Sequence, residues 1–176
     1  MAMKFTELDE VTREWMLKCF ENEESSGNPY RSGVLTKQGL KEWPDIIRRV
    51  ITDTNGSEVT LAAVLSRPAY WLAVDARAHR VNPVQASERL AITEFNTWYV
   101  AGLAARLQKE GQTHCGVYRA GIPRRESAGC SAHEGQTYAL AEIIAGHRIG
   151  YWPPPGVRGA LSIPAGPGCH HTIERV

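Results

Sequence analysis

The chain has 176 residues, 43% of them hydrophobic and 22% charged, with a formal net charge of +1. That balance excludes a disordered chain and suffices for a domain with a real core. The charge is spread evenly along the chain, which does not support a sequence-independent grip on nucleic-acid phosphates and leaves room only for a local patch. No apolar run reaches the roughly 18 residues of a membrane helix. The opening MAMKFTELDE has no signal-peptide character, so an intracellular product with reduced cysteines is expected.

Thr6, Glu7 and Asp9 read as a helix start, and Leu8, Val11, Trp15 and Cys19 recur on one face, predicting a helix over 7–24. It should end in Ser25-Ser26-Gly27-Asn28-Pro29. Two short helices are expected at 36–43 and 45–52, separated by Pro44. Asn55-Gly56 signals a turn, and Ser57 is placed to cap a helix over 58–66 before Pro68. Residues 69–82 show no period and read as an ordered loop with Tyr70, Trp71 and Leu72 tucked in. The strongest pattern runs from Val84 to Glu110, with Ile92, Phe95, Tyr99, Leu103 and Leu107 on one face and Gly111 as the stop. A stripe that long needs covering, and the shorter N-terminal helices are the available cover.

Beyond Gly111 the character changes. Cys115–Arg119 reads as a short strand and 137–146 (TYALAEIIAG) as a short helix, while glycine and proline become frequent. A stretch so poor in apolar residues calls for a staple. Three of the four cysteines and five of the six histidines lie here. Cys130-Ser-Ala-His133 and Cys169-His170-His171 are two short ligand pairs, together offering two thiolates and two imidazoles to a tetrahedral, closed and therefore structural zinc site. Cys130, His133, Cys169 and His171 are the expected ligands, with His170 as the alternative to His171, and Cys115 with His114 as a further substitute. The plain alternative is two small buried cysteines and histidines at the surface. A catalytic zinc with Glu134 as general base is a sharper rival. Glu134 adjoins His133 directly, however, and neither the deaminase spacing nor H-E-x-x-H is present.

The order of motifs from the long helix onward resembles the phage Mu F-like head morphogenesis family, the minor head proteins of tailed phages. Members carry a helix with a Thr-Glu pair, a short strand, a Cys-x-x-Cys followed closely by Gly, and a final proline-flanked His-Pro-x-Cys-Arg segment. The corresponding places here are Ser87–Glu94 with its Thr93-Glu94, then Gly116–Tyr118, then Cys130–Gly135, then Pro164–His171. His133 stands for the second cysteine and Gly166 for the final histidine, so a retained site requires His133 and His171 as ligands. The resemblance covers about residues 84–176. It implies a virion or prohead component present in few copies, associated with the portal or capsid interior, and without established catalysis.

The expected architecture is therefore α+β, with a helical region over 1–110 built round one long helix and a small zinc-stapled, β-containing module over 111–176. The expected role is a phage or prophage minor head protein that acts by binding and assembly, in the host cytoplasm or in the virion. Its expected partners are proteins such as portal or capsid subunits; self-association is compatible with the sequence. Two rivals stand beside this reading. One is a zinc-dependent hydrolase or nuclease using Glu134, and the other a small prophage toxin or host-interaction protein.

Overall fold

The computed structural model describes residues 2–122, 131–149 and 160–176. Along the chain come α1 (Glu10–Ser25), α2 (Lys37–Thr52), α3 (Glu58–Leu65), a 3-10 turn at Pro68–Tyr70, α4 (Pro83–Lys109), β1 (His114–Arg119), β2 (Thr137–Ala139), α5 (Leu140–Ala145) and β3 (His171–Glu174). Among the described residues this is an α+β fold in which four helices precede a small antiparallel sheet of order β2-β1-β3. No helix among them is long and apolar enough to cross a membrane.

Helix α1 starts later than expected, because the Asp9 carboxylate, not the Thr6 hydroxyl, accepts the Thr12 amide at 2.8 Å. Its buried face also differs from the expected one. Thr12, Arg13, Met16 and Phe20 point inward, while Val11 is 46% exposed and Trp15 and Cys19 are only half-buried. Two contacts turn the helix this way. The Arg13 guanidinium donates to the carbonyls of Ile51, in the last turn of α2, and of Thr54 and Gly56 just beyond it. Met16 lies against Gly102 of α4, where a Cβ would stand 2.6 Å from the Met16 nitrogen. Only glycine permits so close an approach of the two helices.

The segment 36–52 is one helix, not two, with Pro44 inside it. Thr36 caps it by accepting from the Gly39 amide at 3.2 Å. Proline removes one backbone hydrogen bond and presses on the preceding turn. Yet Trp43, Ile46, Ile47, Val50 and Ile51 form one buried stripe across the proline, and burying that stripe outweighs the lost bond. Ser57 caps α3 as read, accepting the Thr60 amide at 3.3 Å. In the following loop Tyr70 and Trp71 are buried, but Leu72 is 40% exposed.

Helix α4 is 27 residues long and starts on Asn82, whose side chain accepts the amides of Val84 and Gln85. It stops at Gly111, whose φ of +84° is the left-handed conformation that ends helices. Its core residues include Phe95, Trp98, Tyr99, Leu103 and Leu107. One side is covered by α1 and α3, and α5 and β3 lie against it elsewhere.

β1 is the central strand. It pairs with β2 through Cys115 opposite Tyr138, and with β3 through Val117 opposite Ile173 and Arg119 opposite His171. The expected helix over 137–146 is divided: Thr137–Ala139 satisfies one edge of β1 as β2, and only Leu140–Ala145 is helical. Pairing β1 from both sides leaves fewer of its backbone groups unmet than a longer helix would. Cys115, Val117, Leu140, Ile143 and Ile173 join the same hydrophobic cluster as the helices, so the sheet closes one side of a shared core.

Candidate metal centre

Arg119 ends β1 and faces His171, the first residue of β3. The turn carrying His133 and Glu134 folds back onto β1: Gly135 donates its amide to the Val117 carbonyl at 2.8 Å, and Val117 donates to the Gln136 carbonyl at 2.9 Å. Gly135 has φ +75°, a conformation that glycine supplies without steric cost. These backbone bonds bring three sequence-distant segments to one end of the sheet.

There the side chains form a chain of contacts. Arg119 donates to the Glu134 carboxylate at 2.9 and 3.0 Å and to the Ser131 hydroxyl at 3.1 Å. The same Glu134 oxygen lies 3.4 Å from His171 Nε2. On the other side of the ring, His171 Nδ1 lies 3.9 Å from Cys169 Sγ. The imidazole thus sits between a thiol and a carboxylate. His171 is 3% exposed and Cys169 7%, whereas the Glu134 side chain is 41% exposed and closes the site toward solvent. Burial pushes the His171 imidazole below its ordinary pKa, against an opposing pull from Glu134. From α4, Asn96 donates to the His171 carbonyl at 2.8 Å and fixes the strand's position.

His133 is 1% exposed, and its Nδ1 is hydrogen-bonded to the Tyr138 hydroxyl. His170 differs from its neighbour: its Nδ1 meets the Gly168 carbonyl at 2.7 Å, and its own carbonyl accepts the Ala120 amide. Cys115 is fully buried in the hydrophobic cluster, where burial pushes its thiol up to about 12, and His114 is exposed. Cys19 sits half-buried on α1, its thiol also pushed up by burial.

Of the four expected ligands, Cys130 lies outside the described residues. The structure brings Cys169 and His171 together, and puts His133 on the turn whose next residue reaches His171. Among the described residues no three histidine, cysteine or acidic side chains form a metal-holding group by themselves. Of the expected ligands that are described, Cys169 and His171 are the two in contact, a thiol beside an imidazole. Two ligands at ordinary Zn–S and Zn–N distances stand about 3.6 Å apart across a tetrahedral angle, close to the separation found. The residues that sequence reasoning missed are Arg119, Asn96 and Tyr138. None belongs to a motif, and each acts through a strand register or a helix face that appears only on folding. No family model, no curated protein and no solved structure matches the chain.

Proposed function

We propose that one structural zinc ion on Cys130, His133, Cys169 and His171 holds residues 111–176, and that the chain works by binding and assembly, as a phage or prophage minor head protein. The observation that carries the zinc reading is the His171 ring, with Cys169 Sγ on its Nδ1 side and the Glu134 carboxylate on its Nε2 side. A metal-bound histidine ordinarily donates its second ring N–H to a carboxylate, which sets its tautomer and orientation. His171 would therefore ligate through Nδ1, and His133 through Nε2, since its Nδ1 is engaged by Tyr138. Cys130 is assigned from the sequence and directly precedes Ser131. When bound, the ion supplies a covalent-like cross-link between the turn at 130–135 and the segment before β3.

In this arrangement Glu134 orients a ligand and pairs with Arg119; it is not a base awaiting a substrate. The assembly role is supported by the motif order from Thr93-Glu94 to His171 and by the closed character of the ligand set. Metal analysis of the purified protein should give one zinc per chain, and the gene should lie beside portal and capsid genes; a neighbourhood without head genes would overturn the head-protein role. Glu134→Gln should keep stoichiometric zinc, with affinity weakened by roughly tenfold or more. A zinc-dependent hydrolysis of nucleic acid or peptide that disappears in Glu134→Gln would replace this reading with an enzyme.

A further inference from the structure

Away from the metal centre, a cavity of about 450 Å³ lies between the first half of α4 and the loop at 71–82. Its floor is apolar, with Trp71 at 5% and Leu90 at 9% exposure flanked by Val81. Its cationic lining is Arg80 and Arg89, with the Gln85 amide between them in sequence. Four other arginines, Arg31, Arg106, Arg148 and Arg175, each hold a carboxylate at 2.6 or 2.7 Å. The side chains of Arg80 and Arg89 make no hydrogen bond or ion pair among the described residues. The acid that lines the same cavity, Asp75, is already engaged. It accepts the amides of Arg77 and His79 at 2.8 and 2.9 Å and faces the His79 ring at 3.3 Å. With two arginines against one carboxylate, the cavity presents a net positive charge over an apolar floor.

A second cavity of about 630 Å³ shares Tyr30, Thr93 and Pro167 with the first, so the two form one trough along α4. Its own cations are neutralised, Arg148 by Glu23 and Glu94 and Arg31 by Glu24. A nucleic-acid strand carries a charge at every step and would need cations along the whole trough. Here the free positive charge is confined to one end, and the rest is neutral and partly apolar. We propose that the trough binds an extended acidic segment of a partner protein, its carboxylates on Arg80 and Arg89 and an apolar side chain over Trp71 and Leu90. This surface is independent of the metal centre, so either assignment can fail without the other.

The test is an NMR titration of the full chain with a short peptide alternating Glu and Leu, its Gln-and-Leu counterpart, and a single-stranded oligothymidine. The Glu peptide should shift the amide signals of Val81, Gln85, Ala86 and Leu90, and added salt should weaken it. Arg80→Glu combined with Arg89→Glu should weaken it by roughly tenfold or more. Both side chains are exposed, and an unchanged amide spectrum elsewhere verifies that the double variant folds. No shift at these residues, equal binding of the Gln peptide, preference for the oligothymidine, or undiminished binding by the double variant would each overturn the assignment.

Discussion

The helical region 1–110 and the β-containing region 111–176 are held together by different means. In the first, apolar stripes face one another: Met16 and Phe20 of α1, the stripe of α2 across Pro44, Leu61 and Leu65 of α3, and the centre of α4 are all buried. Polar groups there cap the helices, and Arg13 ties α1 to the carbonyls of Ile51, Thr54 and Gly56. The second region has strands of six, three and four residues, too short to hold as a free sheet. It uses α4 as its other wall, through apolar residues such as Val117 and Ile173 and through directed polar ties. Asn96 holds the His171 carbonyl, Glu94 grips Arg148 with both oxygens at 2.7 and 2.9 Å, and Glu23 meets His147 and Arg148. Arg148 also lies over the Trp98 ring at 5.0 Å. Apolar packing tolerates many substitutions, whereas directed ties fail one group at a time, and the two regions should respond differently to the same perturbation.

The largest separation between them should come from the proposed zinc. Cys169→Ser should abolish stoichiometric metal, and chelation should lower hydrogen-exchange protection in β1 and β3 while the amides of α1 to α4 keep theirs. Cys19→Ser should leave the metal content unchanged. Equal protection of β1 with and without chelator would show that the core shared with α4 is sufficient by itself.

Next in size is the buried ion pair. The Glu94 side chain is 1% exposed, and Glu94→Gln leaves the Arg148 guanidinium without its bidentate carboxylate. Removing one partner of a buried pair costs up to about 3–5 kcal/mol, and the Glu23 carboxylate that still meets Arg148 should keep the loss at the lower end. The midpoint of denaturant unfolding should fall accordingly, with the loss appearing first in amides of α5. A loss equally shared by α2 would mean that the two regions unfold as one unit.

The helical region has its own sensitive point at Gly102. A Cβ there meets the Met16 nitrogen at 2.6 Å and its Cα at 2.8 Å, backbone atoms that cannot rotate away. Gly102→Ala should therefore cost roughly 1–3 kcal/mol, as overpacking does, despite alanine's better helix propensity. A neutral result in thermal unfolding would show that α1 can slide on α4.

The smallest effect expected is a pH dependence. Burial raises the Glu23 pKa, but the hydrogen bond to His147 and the charge of Arg148 outweigh it and bring the carboxyl from its usual 4.5 to about 2. A depressed folded-state pKa contributes stability that is fully present above 4.5 and lost as the pH falls from there toward 2. Glu23→Gln should flatten that part of the acid unfolding profile and leave stability near neutral pH dependent on the remaining Glu94–Arg148 contact. An unchanged profile would place the acid sensitivity elsewhere.

The sequence by itself was sufficient for features whose cause lies within a few residues. The Ser57 cap, the extent of α4, the stop at Gly111 and the Cys115–Arg119 strand are read from local spacing, because capping and periodicity act over one or two helical turns. The tertiary structure decided whatever depends on a partner far along the chain. Pro44 sits inside α2 because the stripe on either side of it is buried together. The inward face of α1 is set by the Ile51, Thr54 and Gly56 carbonyls for Arg13 and by Gly102 for Met16. β2 replaces the start of a helix because the edge of β1 needs partners. The contacts around His171 come from Asn96, Arg119 and Glu134, which lie on a helix, a strand and a turn, and no spacing in the sequence connects them. Hydrogen bonds and burial favour the same local conformation only when both partners lie nearby; where they do not, packing in three dimensions selects the outcome.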